Sequence, residues 1–223
     1  MHRFWRWSGK GIMDVGIFGG TFDPVHMGHL RVAEEVKEHF FLHPIYFVPV
    51  NMPAHKQNQP IASAKDRFTM LKKAIRGNSS FRVSDIEIQR GGISYTIDTV
   101  TALEKRFNNL YFIIGIDAFS EIATWRRYRE LFFHTNFIVM VRPTNDYPSF
   151  IDIMPADIKQ DIAIRDSLTF EHISKKMIYF YKVTQLDISS SKIRELSKQK
   201  HSLKYLVPPS VEKFIGTRGL YRR

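Results

Sequence analysis

Met13-Asp14-Val15-Gly16-Ile17-Phe18-Gly19-Gly20-Thr21-Phe22-Asp23-Pro24-Val25-His26-Met27-Gly28-His29 is the stretch on which the fold turns. Residues 13–18 read as a buried first strand. Gly19-Gly20 ends it and lets backbone amides approach a ligand with no side chain in the way. Thr21 and Asp23 can hydrogen-bond the turn, and Pro24 shapes the approach to a helix expected over 27–40. His26 and His29 are three residues apart, so near a helix N-terminus they share a face, and Gly28 keeps the gap between them clear. A helix N-terminus attracts anions through free amides and its dipole, and two imidazoles add donors for phosphate oxygens. Phosphoryl or nucleotidyl transfer needs chiefly positioning and charge stabilisation, so this segment is a candidate phosphate-transfer cradle.

Other chemistries fit it less well. A His pair at this spacing could bind zinc, but there is no HExxH, no cysteine and no third ligand close by. The G-x-G-x-x-G spacing of a dinucleotide site is absent, which argues against hydride transfer. Two histidines flanking a glycine directly after a strand and a Gly-Gly turn are unlike scattered packing residues.

Beyond this segment, short β-rich runs alternate with amphipathic helical stretches, as in stacked βαβ units. The fold class expected is α/β: Rossmann-like, doubly wound, with a mainly parallel sheet and a small C-terminal helical part. Strands are expected at 45–50, 81–88, 110–116, 137–141 and 177–183, with 110–116, continuously apolar, in mid-sheet. Helices are expected at 63–76, capped by Ser63, at 96–107, where Thr96 is a candidate cap, and across 117–133. Residues 144–176 are the least regular, with a helix near 158–164, and read as a lid or a family-variable insertion. Two short helices separated by Pro208-Pro209 follow Ser189. The domain division is an N-terminal extension at 1–12, expected to be disordered, an α/β domain at 13–188 and a C-terminal helical part at 189–223.

The chain has 223 residues, no cysteine and a net charge of +11. The charge suggests a nucleic-acid binder, but its distribution does not. Arg3, Arg6 and Lys10 at one end and Arg218, Arg222 and Arg223 at the other supply +6 with no acid among them, leaving +5 over the rest. That suits a protein binding small anions. No stretch reaches the roughly 18 to 20 apolar residues of a membrane span, and residues 1–12 lack the apolar core of a signal peptide. The expectation is a cytoplasmic protein acting on neither nucleic acid nor membrane; a homo-oligomer is compatible with it. A second anion site is legible in Ile188-Ser189-Ser190-Ser191-Lys192-Ile193-Arg194, three hydroxyls at a helix start with a cation one turn on.

Gly-Gly-Thr-Phe-Asp-Pro-Val-His-Met-Gly-His resembles the GxFDPxHxGH signature of the HxGH nucleotidyltransferase superfamily, and Ile188–Arg194 resembles its ISSTxIR motif with Ser191 in place of threonine. The resemblance implies that His26 and His29 contact the α- and β-phosphates of ATP, with Ser189, Ser190 and Arg194 also on the phosphates. It implies an ATP site that includes Gly19, Gly20, Thr21, Phe22, Gly115, Asp117 and Ile188. No metal site of the protein's own is expected; magnesium arrives with ATP as co-substrate, held mostly by the triphosphate and water. The acceptor phosphate attacks the α-phosphorus in line, pyrophosphate leaves, and no covalent enzyme intermediate forms.

Four more segments resemble the bacterial nicotinate-nucleotide adenylyltransferases. Lys56, after Val48-Pro49-Val50-Asn51-Met52-Pro53-Ala54-His55, matches the lysine of a PPHK-like loop reaching the phosphates, with Ala54 replacing a proline. Ser94-Tyr95-Thr96-Ile97-Asp98-Thr99 matches an SYTxDT motif, whose Tyr95-Thr96 region receives the pyridine carboxylate. Ile114-Gly115-Ile116-Asp117 through Thr124-Trp125 matches a GxD…TW segment, making Trp125 the ring on which the base stacks. Val141-Arg142-Pro143 places Arg142 near the mononucleotide phosphate. The implied catalytic set is His26, His29, Lys56 and Arg194, and the implied acceptor is nicotinate mononucleotide, giving deamido-NAD in NAD biosynthesis. Alternatives are nicotinamide mononucleotide or another phosphorylated acceptor and, from a different class, a basic nucleic-acid-binding protein.

Overall fold

In the computed structural model, which describes residues 14–53, 61–142 and 149–222, the glycine-ended run forms β1, Asp14–Gly20. The chain continues through α1 (Met27–Phe40), β2 (Ile45–Pro49), β3 (Met52–Pro53), α2 (Ala64–Ala74), β4 (Phe81–Val83), α3 (Ile86–Arg90), β5 (Ile93–Ser94) and α4 (Thr96–Glu104). Then come β6 (Asn109–Gly115), α5 (Ile116–Ser120), α6 (Tyr128–His134), β7 (Asn136–Val141), α7 (Ala156–Lys159), β8 (Ile162–Ile164), β9 (Thr169–His172), β10 (Met177–Lys182), α8 (Ser190–Lys198) and α9 (Pro209–Arg218).

The main sheet runs β4-β2-β1-β6-β7-β10-β9-β8, parallel from β4 to β10 and antiparallel through β9 and β8. From β1 the chain winds outward through β2 to β4, then returns to β6 on the other side and winds out through β7 to β10. The strand order therefore reverses between β1 and β6. In such sheets the carboxyl ends of the two diverging strands open a crevice, and here those ends are Gly19-Gly20 and Gly115.

Alternation along β6 shows how the layers form. Leu110, Phe112 and Ile114 enter a core with Ile97 and Val100 of α4, Phe119 of α5 and Leu131 of α6, whereas Ile113 enters the opposite core with Val36 of α1, Met70 of α2, Ile193 of α8 and Ile215 of α9. A strand puts successive side chains on opposite faces, so one strand serves both layers. Residues 149–176 belong to the first core: Met154, Ile158 and Phe170 are buried in it, and β9 and β8 extend the main sheet.

Local expectations need four corrections. The strand expected over 81–88 stops at Val83, because Ser84 and Asp85 compete for the backbone: Ser84 Oγ accepts from the Ile86 N–H and the Asp85 carbonyl from the Gln89 N–H, starting α3. The helix across 117–133 is interrupted; Trp125 is extended and Arg127 adopts φ 53°, so α5 and α6 are separate pieces. The helix near 158–164 ends at Lys159, and Ile162 and Ile164 alternate about Ala163 to pair with His172 and Phe170. Thr96 is the first residue of α4 rather than its cap, which is Tyr95. Ser63 caps α2 as expected, accepting from the Asp66 N–H at 3.0 Å.

Candidate active site

His26 is the N-cap of α1 and only 7% exposed. Its main-chain N–H donates to Nδ1 of His29 at 3.3 Å, and the two imidazoles lie 3.7 Å apart. Gly28 permits this closeness, since a Cβ there would sit 3.1 Å from His26 Nδ1. The His29 ring is edge-on to Phe22, 5.1 Å away, and Phe22 is buried with φ 50°.

Burial lowers the His26 pKa to about 4, and burial together with neighbouring His26 holds His29 well below its ordinary value. Both rings are therefore neutral at neutral pH, each with one N–H to offer. His26 Nδ1 is buried with no hydrogen-bond partner. A buried polar atom without a partner costs stability, and this one belongs to a residue that lines a cleft.

That cleft, about 200 Å³, lies at the strand-order reversal. His26, Gly28, His29, Gly115, Asp117, Arg142 and Ile188 line it together. Arg142 donates to Asp117 Oδ2 at 3.2 Å, an exposed pair across the cleft mouth. The apolar wall comes from Phe18, Val32, Met140, Val183 and Leu186, with Thr184 and Gln185 at its rim. Sequence reasoning assigned none of these to the site, because each reads as an ordinary strand, helix or loop residue.

The C-terminal serine motif is fastened to the signature turn. Ser189 caps α8, accepting from the Lys192 N–H, Ser190 Oγ donates to the Pro24 carbonyl at 2.9 Å, and Arg194 donates to the Asp23 carbonyl at 2.9 Å. The two anion motifs, 160 residues apart in the chain, thus converge on one turn. Asp23 does not bond the turn, as the sequence suggested; its Oδ1 accepts from Ala62 N–H and from the Tyr221 hydroxyl.

A buried guanidinium completes the frame. Arg67, fully buried, donates to the carbonyls of Thr21, Asn51 and Ala62 at 2.9 to 3.0 Å. It clamps the glycine turn to both flanks of the segment that contains Lys56. Lys56 itself lies outside the described residues, as do residues 1–12 and 144–148. A readable signal for Arg67 existed: it falls three and four residues before Met70 and Leu71, on the buried stripe of α2.

Tyr95, Thr96 and Trp125 do not line the His cleft. Tyr95 and Trp125 pack against the first core on the other face of the sheet, where Trp125 meets Phe112 edge-on and a Cβ on Gly19 would meet the Phe112 ring at 3.4 Å. The Arg126 guanidinium covers the Tyr95 ring at 4.6 Å. Asn51, just past β2, receives a bond from neither His but donates its main-chain N–H to Ser94 Oγ and its amide to the Gly92 carbonyl, and β3 pairs with β5. The His cleft and the Tyr95–Trp125 cluster therefore flank Gly19-Gly20 from opposite faces of the sheet.

Comparisons with known proteins point the same way. Residues 17–196 match the family model described as cytidylyltransferase-like. The chain is 42% identical over 215 residues to a protein of Desulfatibacillum aliphaticivorans named probable nicotinate-nucleotide adenylyltransferase, covering 94% of this chain and all of that one. It is 40% identical over 212 residues to a protein of the same name from Trichlorobacter lovleyi, again 94% of this chain and all of the other. In fold it is similar to the Plasmodium falciparum nicotinic acid mononucleotide adenylyltransferase solved in complex with NaAD, with TM-score 0.72, 20% identity, and coverage of 94% of this chain and 97% of that one.

Proposed function

The chain belongs to the cytidylyltransferase-like family and, within it, to the nicotinate-nucleotide adenylyltransferases, and we propose that its transfer of adenylyl from ATP to nicotinate mononucleotide runs across the Gly19-Gly20 edge. ATP occupies the cleft of His26, His29, Gly115, Asp117 and Ile188, with its phosphates toward the N-terminus of α1, Ser189, Ser190 and Arg194. The mononucleotide occupies the opposite side, its pyridine ring on Trp125 and its carboxylate toward Tyr95 and Thr96. Arg142 and Lys56 serve its phosphate and the triphosphate.

The observation that carries this is the convergence of His26, Gly28, His29, Gly115, Asp117, Arg142 and Ile188 on one cleft at the strand-order reversal. A phosphate oxygen of the mononucleotide attacks the α-phosphorus. The bond from that phosphorus to the bridging oxygen breaks, and pyrophosphate carries away the electron pair. The N–H groups of two neutral imidazoles and the α1 amides stabilise the charge that builds on the phosphate oxygens. No side chain has to form a bond to phosphorus.

Magnesium suits the donors here as an ion brought in on the triphosphate. It prefers oxygen ligands and keeps several waters, and the cleft offers one exposed carboxylate, Asp117, beside imidazoles. Among the described residues no group of three or more His, Asp or Glu is placed to hold a metal, and no helix is long and apolar enough to cross a membrane. We infer a cytoplasmic location from the supply of ATP that this step consumes.

The test is to follow label from the α-phosphate of ATP. With nicotinate mononucleotide and magnesium it should appear in deamido-NAD in proportion to pyrophosphate released. Label on the protein, or pyrophosphate without dinucleotide, would refute the direct transfer.

A further inference from the structure

Tyr221 is tied to the signature carboxylate from the far end of the chain. Its hydroxyl donates to Asp23 Oδ1 at 2.6 Å, and the same oxygen accepts from the Ala62 N–H at 3.1 Å. Asp23 is 2% exposed, yet its second oxygen, Oδ2, has no hydrogen-bond partner. That oxygen stands 3.8 Å from Nη1 of Arg194. This is too long for a hydrogen bond but close enough for strong attraction at a buried site. Nη1 itself donates to the Asp23 carbonyl, and Nη2 to Ser191 Oγ at 3.2 Å.

The unsatisfied oxygen needs a reason, because rotating the carboxylate a little would close a bonded ion pair with Arg194. A charge-assisted pair at contact would be roughly twice as strong as a neutral hydrogen bond and would withdraw the guanidinium from any other anion. Two donors on Oδ1 prevent the rotation. One is a main-chain N–H; the other is Tyr221, whose segment is fixed to the helix of Arg194 by the bond from Ser197 Oγ to the Leu220 carbonyl. Burial and the adjacent carboxylate push the Tyr221 phenol up, so the hydroxyl remains a donor.

We propose that Tyr221 is a positioning residue for the ATP half of the reaction: it pins Asp23 so that Oδ2 steadies Arg194 by charge without capturing it, leaving the guanidinium N–H groups not bonded to the Asp23 carbonyl or Ser191 for phosphate oxygens. The inference rests on the assignment of Arg194 to the phosphates made above. The chain's last turn thereby completes a site whose first element is β1.

The experiment is steady-state kinetics of Tyr221→Phe, alone and in an Arg194→Ala background, with thermal unfolding alongside. Tyr221→Phe removes one hydroxyl and keeps the ring. It should raise the KM for ATP by roughly tenfold, the scale of one hydrogen bond to a charged group, with the KM for nicotinate mononucleotide within about twofold of the parent. In the Arg194→Ala background it should raise the KM for ATP no further. A uniform loss of kcat with both KM values unmoved, or an equal rise in both, would mean that Tyr221 only supports the fold. Should Tyr221→Phe not fold, Asp23→Asn carries the test, because it removes the charge facing Arg194 while keeping an acceptor for Tyr221. It should raise the KM for ATP selectively, and an unchanged value would overturn the inference. Arg194→Ala with an unaltered KM for ATP would remove the assignment of Arg194 itself. A raised value there, with Tyr221→Phe silent, would overturn the role of Tyr221 alone.

Discussion

The main-chain N–H of His26 donates to Nδ1 of His29 at 3.3 Å, and the two ring centroids lie 3.7 Å apart with the planes tilted by 31°. Because Nδ1 of His29 is an acceptor, its neutral ring carries the proton on Nε2. The N-cap residue of α1 thus sets the tautomer of the second histidine, leaving Nε2 as its donor. His26 is held by burial instead, with Nδ1 unpartnered.

Removing either ring should therefore cost catalysis rather than structure. His26→Ala or His29→Ala is expected to lower kcat/KM by about 10²- to 10⁴-fold, the range for losing preorganised donors at a charge-developing centre. Circular dichroism and unfolding temperature should stay near those of the parent. A folded variant with parental turnover would remove the histidines from the chemistry.

The depressed His26 pKa has a consequence for stability. The unfolded state takes up its proton near pH 6.5 and the folded state only near pH 4, so between those values the unfolded chain binds more protons. Stability then rises with pH through the window and is lost as pH falls from about 6.5 toward 4. For His26 alone the loss amounts to about 3 kcal/mol, and His29 acts in the same direction. Urea unfolding at pH 7 and at pH 4.5 checks it: His26→Gln should lose distinctly less on acidification than the parent. Equal losses would show that His26 is not buried neutral.

Arg67 should prove a structural clamp. Arg67→Met leaves the carbonyls of Thr21, Asn51 and Ala62 without their donors and, at about 1 to 3 kcal/mol for each buried acceptor left unpaired, is expected to lower Tm by roughly 10 °C for a chain of this size. Arg67→Lys should rescue little, since an ammonium cannot span the three directions of the guanidinium fork. Calorimetry showing a parental Tm for either would contradict the clamp.

The proposed function puts Trp125 on the acceptor side of the edge. Trp125→Ala should raise the KM for nicotinate mononucleotide about 10- to 100-fold, the effect of losing roughly 1 to 3 kcal/mol of base stacking, while the KM for ATP stays put. An effect on ATP alone would reverse the assignment of the two half-sites.

Much of this architecture could be read in the chain. Gly19-Gly20 after an apolar run marked the end of β1, and Leu110–Ile114 marked its mid-sheet neighbour, because strand burial leaves a continuous apolar signature. Residues 81–88 misled, since Phe81, Val83, Ile86 and Ile88 alternate plausibly, and only the Ser84 hydroxyl and the Asp85 carbonyl, accepting from Ile86 and Gln89 N–H, turn the backbone into α3. At the site, the histidines and Arg194 announced themselves by motif. Arg67 showed only its place on the buried stripe of α2 and Tyr221 showed nothing, because their partners are main-chain carbonyls and a carboxylate 198 residues away. Such contacts depend on the folded path rather than on local spacing. Phe18 and Phe112 carry no mark of their opposite roles on the two faces of one sheet edge.

The central claim is adenylyl transfer to an acceptor chosen by its pyridine carboxylate. Magnesium-dependent release of pyrophosphate from ATP, measured side by side with nicotinate mononucleotide, nicotinamide mononucleotide and phosphopantetheine, tests it most directly. The highest kcat/KM is expected with nicotinate mononucleotide, a clearly lower value with the carboxamide and none with phosphopantetheine. Equal rates with the first two, or turnover of phosphopantetheine alone, would contradict it.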